Sequence, residues 1–330
     1  MTGPLVSVVI PAYNCEHVLG GTIDCALQQS YRNIEIIVVD DGSTDGTPGV
    51  AGRYTGGGKV RYLRQENGGP GAARNRGIDA ALGQYFVFID ADDSLSRDSI
   101  EKRMALIEEV GNLELVYANY WIRWAEGEAT LRFGDAYAEK FIGFRRDYVH
   151  GAVVEGDPSA FFGMAFDFWT GAVLVARSLM DLVGPFRTDI SVGEDRDMWI
   201  RMSMAAERVG YVGSPVACYN RSEKGLTGGD PVRYAMVRRE LNRSLLERYG
   251  GGGGGRAVGK AIRQSMSWIY YDLGRHYRRI GMRGSAVGNF LRSVYYSPGN
   301  RLPYRQIGAM MLPASVRERF RKMFRETARC

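Results

Sequence analysis

Four short runs of β-branched and aromatic residues, each closed by turn formers, most constrain what this chain can fold into. They are Leu5–Ile10, which breaks at Pro11, then Ile34–Val39, Val60–Leu63 and Tyr85–Ile89. Runs of this length without polar alternation suit parallel strands buried on both faces. Between the first two, residues 16–30 leave room for a crossover helix with Val18, Leu19, Ile23 and Leu27 on its inner face. After the third, the turn Asn67-Gly68-Gly69-Pro70-Gly71 opens a helix over 72–82. Strand and helix alternate, which predicts an α/β fold with a doubly wound, mostly parallel sheet flanked by helices and right-handed crossovers. In such sheets ligands bind beyond the carboxyl ends of the strands.

Those strand ends carry the chemistry. The fourth run delivers Asp90-Ala91-Asp92-Asp93 with no Lys or His beside it. Carboxylates so spaced repel one another unless a cation lies between them, and hard oxygen ligands suit Mg²⁺ or Mn²⁺ carrying a diphosphate. A plainer reading is a helix cap, which Asp92-Asp93-Ser94 also fits. The first strand ends in Pro11-Ala12-Tyr13-Asn14 and the second in Asp40-Asp41-Gly42-Ser43. Tyr13 can stack on a nucleobase and Asp41 can accept an imide N–H, which points to uracil or thymine. A half-buried core tyrosine and an Asx-turn aspartate are the ordinary alternatives. Gly69, with Pro70 and Gly71, starts a helix whose amides, with Arg74 and Asn75, can face phosphate. No Gly-x-Gly-x-x-Gly follows the first strand and no Gly-x-x-x-x-Gly-Lys-Ser/Thr loop occurs, which argues against a dinucleotide fold and an ATPase.

Val-Ser-Val-Val-Ile-Pro-Ala-Tyr-Asn, Val-Val-Asp-Asp-Gly-Ser-Thr-Asp, Gly-Pro-Gly-Ala-Ala-Arg-Asn-Arg-Gly and Ile-Asp-Ala-Asp-Asp, in this order, resemble family 2 glycosyltransferases. The resemblance runs over about residues 5–225 and implies a GT-A fold and an inverting enzyme that uses nucleotide-diphospho-sugars. It implies that Tyr13 and Asp41 hold the base, with Pro11 shaping the turn and Ala12 and Asn14 beside them. Asp90-Ala91-Asp92 would be the metal-binding Asp-x-Asp motif, and Arg74 would lie close to the nucleotide.

Further along, Phe168-Trp169-Thr170-Gly171 leads into another apolar run, and Glu194-Asp195-Arg196-Asp197 precedes Met198-Trp199-Ile200-Arg201-Met202. Acids in the first turn of a helix complement its dipole, which is the ordinary reading. The stretch also resembles the family's Glu-Asp motif, whose aspartate, here Asp195, deprotonates the acceptor hydroxyl. Glu194 and Asp197 are then supporting residues, and Trp169, Thr170, Gly171 and Arg221 border the donor and acceptor. One departure stands out: many relatives carry a metal-binding His about two dozen residues after the base, and Ser222 occupies that place. Either Asp92, diphosphate and water suffice, or Arg221 and Lys224 take part of the charge. His17 and His276 read as surface or capping residues.

The expected activity is metal-dependent (Mg²⁺ or Mn²⁺) inverting transfer of a hexosyl or N-acetylhexosaminyl group. The donor is a nucleotide sugar, a UDP-sugar foremost, and the acceptor a hydroxyl of a glycan, lipid-linked or cell-envelope acceptor, as in polysaccharide biosynthesis. A sugar nucleotidylyltransferase would want a Gly-rich, Arg-containing loop after the first strand, which Pro11-Ala12-Tyr13-Asn14 is not. A non-catalytic nucleotide-sugar-binding or membrane-scaffold protein is disfavoured by intact Asp90, Asp92 and Asp195.

The 330 residues suit a GT-A domain over 1–229, with a nucleotide-binding half to about 110 and an acceptor half after it, and a basic helical appendage over 230–330. Four cysteines without Cys-x-x-Cys spacing argue against zinc and a disulfide framework, and a reducing cytoplasm is the simplest home. A strand at the very start leaves no room for a signal peptide, and no run reaches the roughly 20 apolar residues that span a bilayer. Charge divides unevenly: residues 256–330 hold 16 Lys and Arg against 3 Asp and Glu, while the remainder holds 27 against 34. The division falls at Gly250–Gly255, which reads as a flexible joint. Helical patterns follow near 257–280, 285–296 and 314–328, the last a basic amphipathic helix with Val316, Phe320, Met323 and Phe324 on one face. Such helices suit an anionic membrane surface on the cytoplasmic face, aided by Trp268, Tyr270 and Tyr271, or equally pack on a domain with their arginines solvated. No nucleic-acid-binding motif accompanies the charge. The aromatic-rich stretch 125–168 is split between core and an acceptor-binding insertion.

Overall fold

A computed structural model describes residues 3–124, 130–133, 145–155, 168–190, 193–221, 230–249 and 255–311. The sequence-level features at Ser222, Lys224, the Arg221 side chain, most of 125–167 and the helical pattern at 314–328 lie outside them. The chain forms two compact units, 1–227 and 228–330, described separately below.

In the first unit, β1 (Val6–Ala12), β2 (Ile34–Asp40), β3 (Val60–Arg64) and β4 (Tyr85–Phe88) run parallel in the order β3-β2-β1-β4. The crossover helices are α1 (Leu19–Leu27), α2 (Thr47–Gly52) and α3 (Gly69–Ala80). β1 and β2 are apolar on both faces, and all seven residues of β1 are buried. Of the inner face expected for α1, Leu19 and Ile23 are fully buried, whereas Val18 is exposed.

Two boundaries differ from the sequence expectation, each for a local reason. β1 does not break at Pro11 but continues to Ala12, paired with β2 as far as Ala12–Asp40. The Val9 carbonyl faces β4 and the Ala12 carbonyl faces β2, so the Pro11 nitrogen points towards β4, which has already ended at Phe88. No ladder bond is lost there, the one circumstance in which a strand tolerates proline. α3 starts at Gly69 rather than Ala72, because Pro70 fits the first turn of a helix and Gly69 takes the left-handed φ of +86° that turns the chain into it.

Beyond β4 the sheet turns mixed. β5 (Ser94–Leu95) and α4 (Ser99–Val110) lead to the long β6 (Leu115–Trp124), with β7 (Thr130–Phe133) beside it. β8 (Arg145–Tyr148) and β9 (Gly151–Glu155) form a hairpin. β10 (Val173–Ala176), α5 (Arg177–Val183), α6 (Glu194–Ala205) and β11 (Arg208–Arg221) complete the unit. β10 runs antiparallel between β4 and β6, and the order continues β6-β11-β9-β8. Phe88, Phe186 and Trp199 meet at centroid distances of 5.3 to 6.2 Å and join the parallel half to α6.

The second unit is helical: α7 (Pro231–Tyr249), α8 (Gly255–Arg279), α9 (Arg283–Tyr296) and α10 (Arg301–Met311). A Cβ on Gly274 would lie 2.6 Å from the Phe290 ring, so α8 and α9 approach as only glycine permits. Ser293 donates to the Ser267 carbonyl at 2.7 Å, and Asn242 of α7 donates to Ser265 at 2.9 Å. Trp268 is partly exposed, whereas Tyr270 and Tyr271 are buried among the helices, the first stacked on Tyr296 and the second tilted against Phe290. Those two tyrosines belong to the core, not to an interfacial belt. No described helix is long and apolar enough to cross a membrane.

Candidate active site

The carboxyl ends of β1, β2 and β4 bring Tyr13, Asp41 and the acidic run to one edge. Tyr13 is 53% exposed there, free to present a ring face. Its loop is stapled to the one after β2: Asn14 accepts from the Thr44 amide at 2.8 Å and gives its own amide to Ser43, and the Cys15 amide reaches Thr47. Asn14 sits at a positive φ of 47°, a conformation asparagine tolerates. Asp40, which sequence reasoning passed over, is fully buried and holds the same loop by accepting from the Ser43 amide and the Tyr62 hydroxyl.

Asp41 is buried and already busy. Its Oδ1 accepts from Gln65 Nε2 and the Gly68 amide, and its Oδ2 from the Gly69 amide, all at 2.8 Å. The carboxylate thus anchors the start of α3 and keeps only its remaining lone-pair capacity for a ligand. The Gly68–Gly69 amides point at Asp41 rather than outward.

Arg74, on α3, is 3% exposed and spans two elements. One guanidinium nitrogen meets Asp90 Oδ1 at 2.7 Å, and the other meets Glu194 Oε1 at 2.7 Å. Its ring-facing side lies 5.5 Å from the Phe186 centroid, and its Nε has no partner. Burial by itself would lower the arginine's pKa. The charges of Asp90, Glu194 and Asp195 more than reverse this and hold it firmly cationic. Asn75, next to it, clasps the Phe186 backbone in both directions at 2.8 Å. Gly71 lets this happen, since a Cβ there would sit 2.7 Å from the Arg187 carbonyl oxygen.

The acidic run is held from two sides. Thr22 of α1 donates to the Ala91 and Asp93 carbonyls, and Asn220 of β11 gives its amide to Asp93 Oδ1 and its side chain to the Asp92 carbonyl, both at 2.8 Å. Burial and the neighbouring Asp90 and Asp92 charges push the Asp93 carboxyl well above the usual range, and its Oδ2 has no partner. Asp92 is exposed as a residue, yet shielding of its carboxyl and the Asp90 charge raise its pKa too.

Asp195 lies in the first turn of α6, where Thr170 Oγ1 reaches its Oδ2 at 3.2 Å. Burial pushes the adjacent Glu194 upward, Arg74 opposes this, and Asp195 adds to it. Asp197 is fully buried and takes Arg201 Nε at 2.7 Å, so it braces α6 rather than facing the cleft. Trp169 is 9% exposed, packed between Tyr120 at 5.0 Å and Tyr219 at 5.5 Å. Its own indole covers Gly171, where a Cβ would lie 2.5 Å from the ring. Trp169 and Gly171 therefore form the wall that carries Thr170.

These contacts close into a circuit: Asp90, Arg74, Glu194, Asp195, Thr170, Trp169, Tyr219, Asn220 and back to Asp92. Asp93, Asn220, Thr22 and Phe186 were not among the sequence candidates. Asp93 stood in the acidic run, but nothing in the sequence pairs it with a residue 127 positions away.

The sheet order and helical layers are those of the GT-A class. Solved relatives agree: the Staphylococcus aureus TarS fragment 1–349 in complex with UDP-GlcNAc superposes with a TM-score of 0.59 at 16% identity, over 89% of this chain and 92% of that one. A mannosyltransferase from Pyrobaculum calidifontis in complex with GDP-Man and Mn²⁺ gives 0.58 at 17% identity, over 93% and 79%. In sequence, residues 7–168 match the model of glycosyl transferase family 2, which assigns this part of the chain to that family. An uncharacterised glycosyltransferase of Rickettsia prowazekii is 44% identical over 118 residues, 36% of each chain. EpsH of Bacillus subtilis, likewise named as a glycosyltransferase, is 32% identical over 224 residues, 66% of this chain and 61% of that one. The chain thus spans about a third of the length of the Rickettsia relatives it matches.

Proposed function

We propose that this protein is an inverting, metal-dependent glycosyltransferase that moves a sugar from a nucleotide-diphospho-sugar to an acceptor hydroxyl. What carries the reading is the circuit from Asp90 through Arg74 and Glu194 to Asp195. It ties an acidic edge to a half-buried carboxylate through one buried guanidinium, an arrangement that suits an in-line displacement. A UDP-sugar is the first donor to test, because Tyr13 offers a stacking face and Asp41 retains acceptor capacity.

The acidic edge fits a divalent cation. The like charges of Asp90 and Asp92 raise the pKa of their neighbours, and one Asp93 oxygen is unpartnered. Asp92 with the second oxygen of Asp90 would hold the ion, which when bound neutralises charge on the diphosphate leaving group. The described residues gather no set of three His, Cys, Asp or Glu ligands, so diphosphate and water oxygens would complete the shell.

Asp195 acts as general base on the acceptor hydroxyl. It works because proton removal accompanies attack, and such catalysis gives roughly 10²–10⁴-fold. Thr170 orients it. Asp195→Asn should therefore lower turnover by about 10²-fold or more while UDP-sugar binding, measured by titration calorimetry, stays close to wild type. Turnover above a tenth of wild type would remove Asp195 from this role. The acceptor, a glycan or a lipid-linked or envelope hydroxyl, is the reading that the family resemblance supports.

A further inference from the structure

The second unit holds a cavity of about 280 Å³ lined by Arg275, Arg278 and Arg279 of α8 and Gln306 of α10. Among the described residues no carboxylate lines it. None of the three arginines makes an ion pair with a described Asp or Glu, and across 255–311 ten Lys and Arg face a single acid, Asp272. Asp272 senses Arg275 and Arg238 but lines no part of the cavity.

Two of the three guanidinium groups, those of Arg275 and Arg278, have partners in the helical unit. Arg278 donates to the Gln306 side-chain oxygen, Gln306 in turn reaches the Tyr271 hydroxyl at 3.4 Å, and Arg275 lies 5.9 Å from the Tyr271 ring centroid. Tyr271 is itself buried against Ala286 and Phe290, with Ile307 and Met310 packed on the same cluster. Three like charges so gathered repel one another, and complementing the negative end of α8 requires no cavity and no helper from α10.

We propose that this cavity is a phosphoryl-binding site, taking a phosphate monoester or diester through bidentate guanidinium contacts. Arginine matches the planar, paired oxygens of phosphate better than lysine does. Exposed apolar residues lie next to it in sequence: Ile280 and Met282 follow Arg279, and Leu302 stands one turn before Gln306. Exposed apolar side chains this near in sequence favour a phosphate at a lipid surface over one free in solution. The site is independent of the transferase reading, and its test reads binding alone.

The test compares the full chain with an Arg275→Gln/Arg278→Gln/Arg279→Gln variant and with a charge-matched Lys260→Gln/Arg263→Gln/Arg292→Gln variant. Lys260 and Arg263 stand at least about 18 Å along the same helix from Arg275. Vesicles of phosphatidylcholine with phosphatidic acid, vesicles of phosphatidylcholine alone, and inorganic phosphate against equal ionic strength of chloride are the probes. Wild type should bind the acidic vesicles, and the cavity variant should lose on the order of 100-fold in partitioning, from about 1 kcal/mol per basic residue. The charge-matched variant should lose less than a tenth of that. Thermal stabilisation by phosphate without vesicle binding would keep the site and assign it to a soluble phosphate. Equal losses in the two variants, or binding to neither probe by a wild type whose helicity is intact, would overturn the proposal. Since the substituted arginines are partly or fully exposed, a single Arg279→Gln variant gives the same ordering should the triple variant unfold.

Discussion

Arg74 decides more than any other side chain. Its guanidinium is buried, and it satisfies one carboxylate from the nucleotide-side strands and one from α6. Removing one partner of a buried ion pair leaves the other charge uncompensated, at about 3–5 kcal/mol. Arg74→Met is therefore expected to lower thermal stability sharply, read by calorimetry. Adding Glu194→Gln to it should restore part of that stability without restoring sugar transfer. If the double variant recovered activity, Arg74 would be only a stabiliser. The sequence suggested Arg74 near a phosphate; the structure gives its charge to two carboxylates, because α3 packs on β1 and β2 and also meets α6.

At the scale of elements, the loops after β1 and β2 behave as one piece. Asp45 accepts from the Glu16 amide at 3.1 Å and the Thr47 amide at 3.0 Å. Slight burial acts upward on its carboxyl, but the Thr47 hydroxyl and amide and the Glu16 amide outweigh it, so its pKa lies below the ordinary aspartate value. A carboxylate depressed in the folded state adds stability above the unfolded pKa of about 3.9 and loses it as pH falls through the folded value. Protection of the Glu16 and Thr47 amides, relative to their intrinsic exchange, should thus fall only below about pH 4, while β1 stays protected, and Asp45→Asn should abolish that pH step. A flat profile in the wild type would show that Asp45 does not hold the loop. The N-terminus of α3 offers a second test. Gly71→Ala presses a methyl group against the Arg187 carbonyl, and overpacking of this kind destabilises by about 1–3 kcal/mol. The same change should weaken transfer, since it pushes Glu194, 3.3 Å away, off its place. In α4, Arg103 is fully buried with only Ser99 as partner, and burial lowers its pKa to about 9. Arg103→Met removes an unpaired buried charge and is expected to raise the melting temperature. A drop instead would mean that the two Ser99 bonds outweigh the charge.

For the whole molecule, charge and chemistry are divided between the units. The polar site built from Tyr13 to Asn220 lies wholly within 1–227, while the excess of arginine lies in the helical unit. Deleting residues 250–330 turns the net charge from +6 to −7. The shortened protein should still bind a UDP-sugar within about threefold of the full chain, since independently cored units keep their own sites. Loss of donor binding on truncation would show that the nucleotide site needs the helical unit.

Strand periodicity and turn residues were enough to read the parallel half of the sheet, and with it the edge at which the candidate residues of the four motifs stand, because those signals are local. Side-chain period and backbone geometry depend on neighbours within a few positions. The circuit was not legible. Asp93 with Asn220, Arg74 with Glu194 and Thr170 with Asp195 join residues 25 to 127 positions apart, and only packing sets which meet. The same limit explains Tyr270 and Tyr271, whose type fits an interface as well as a core. Composition fixes what a side chain can do; the approach of α8 to α9 at Gly274 decided that these two are buried.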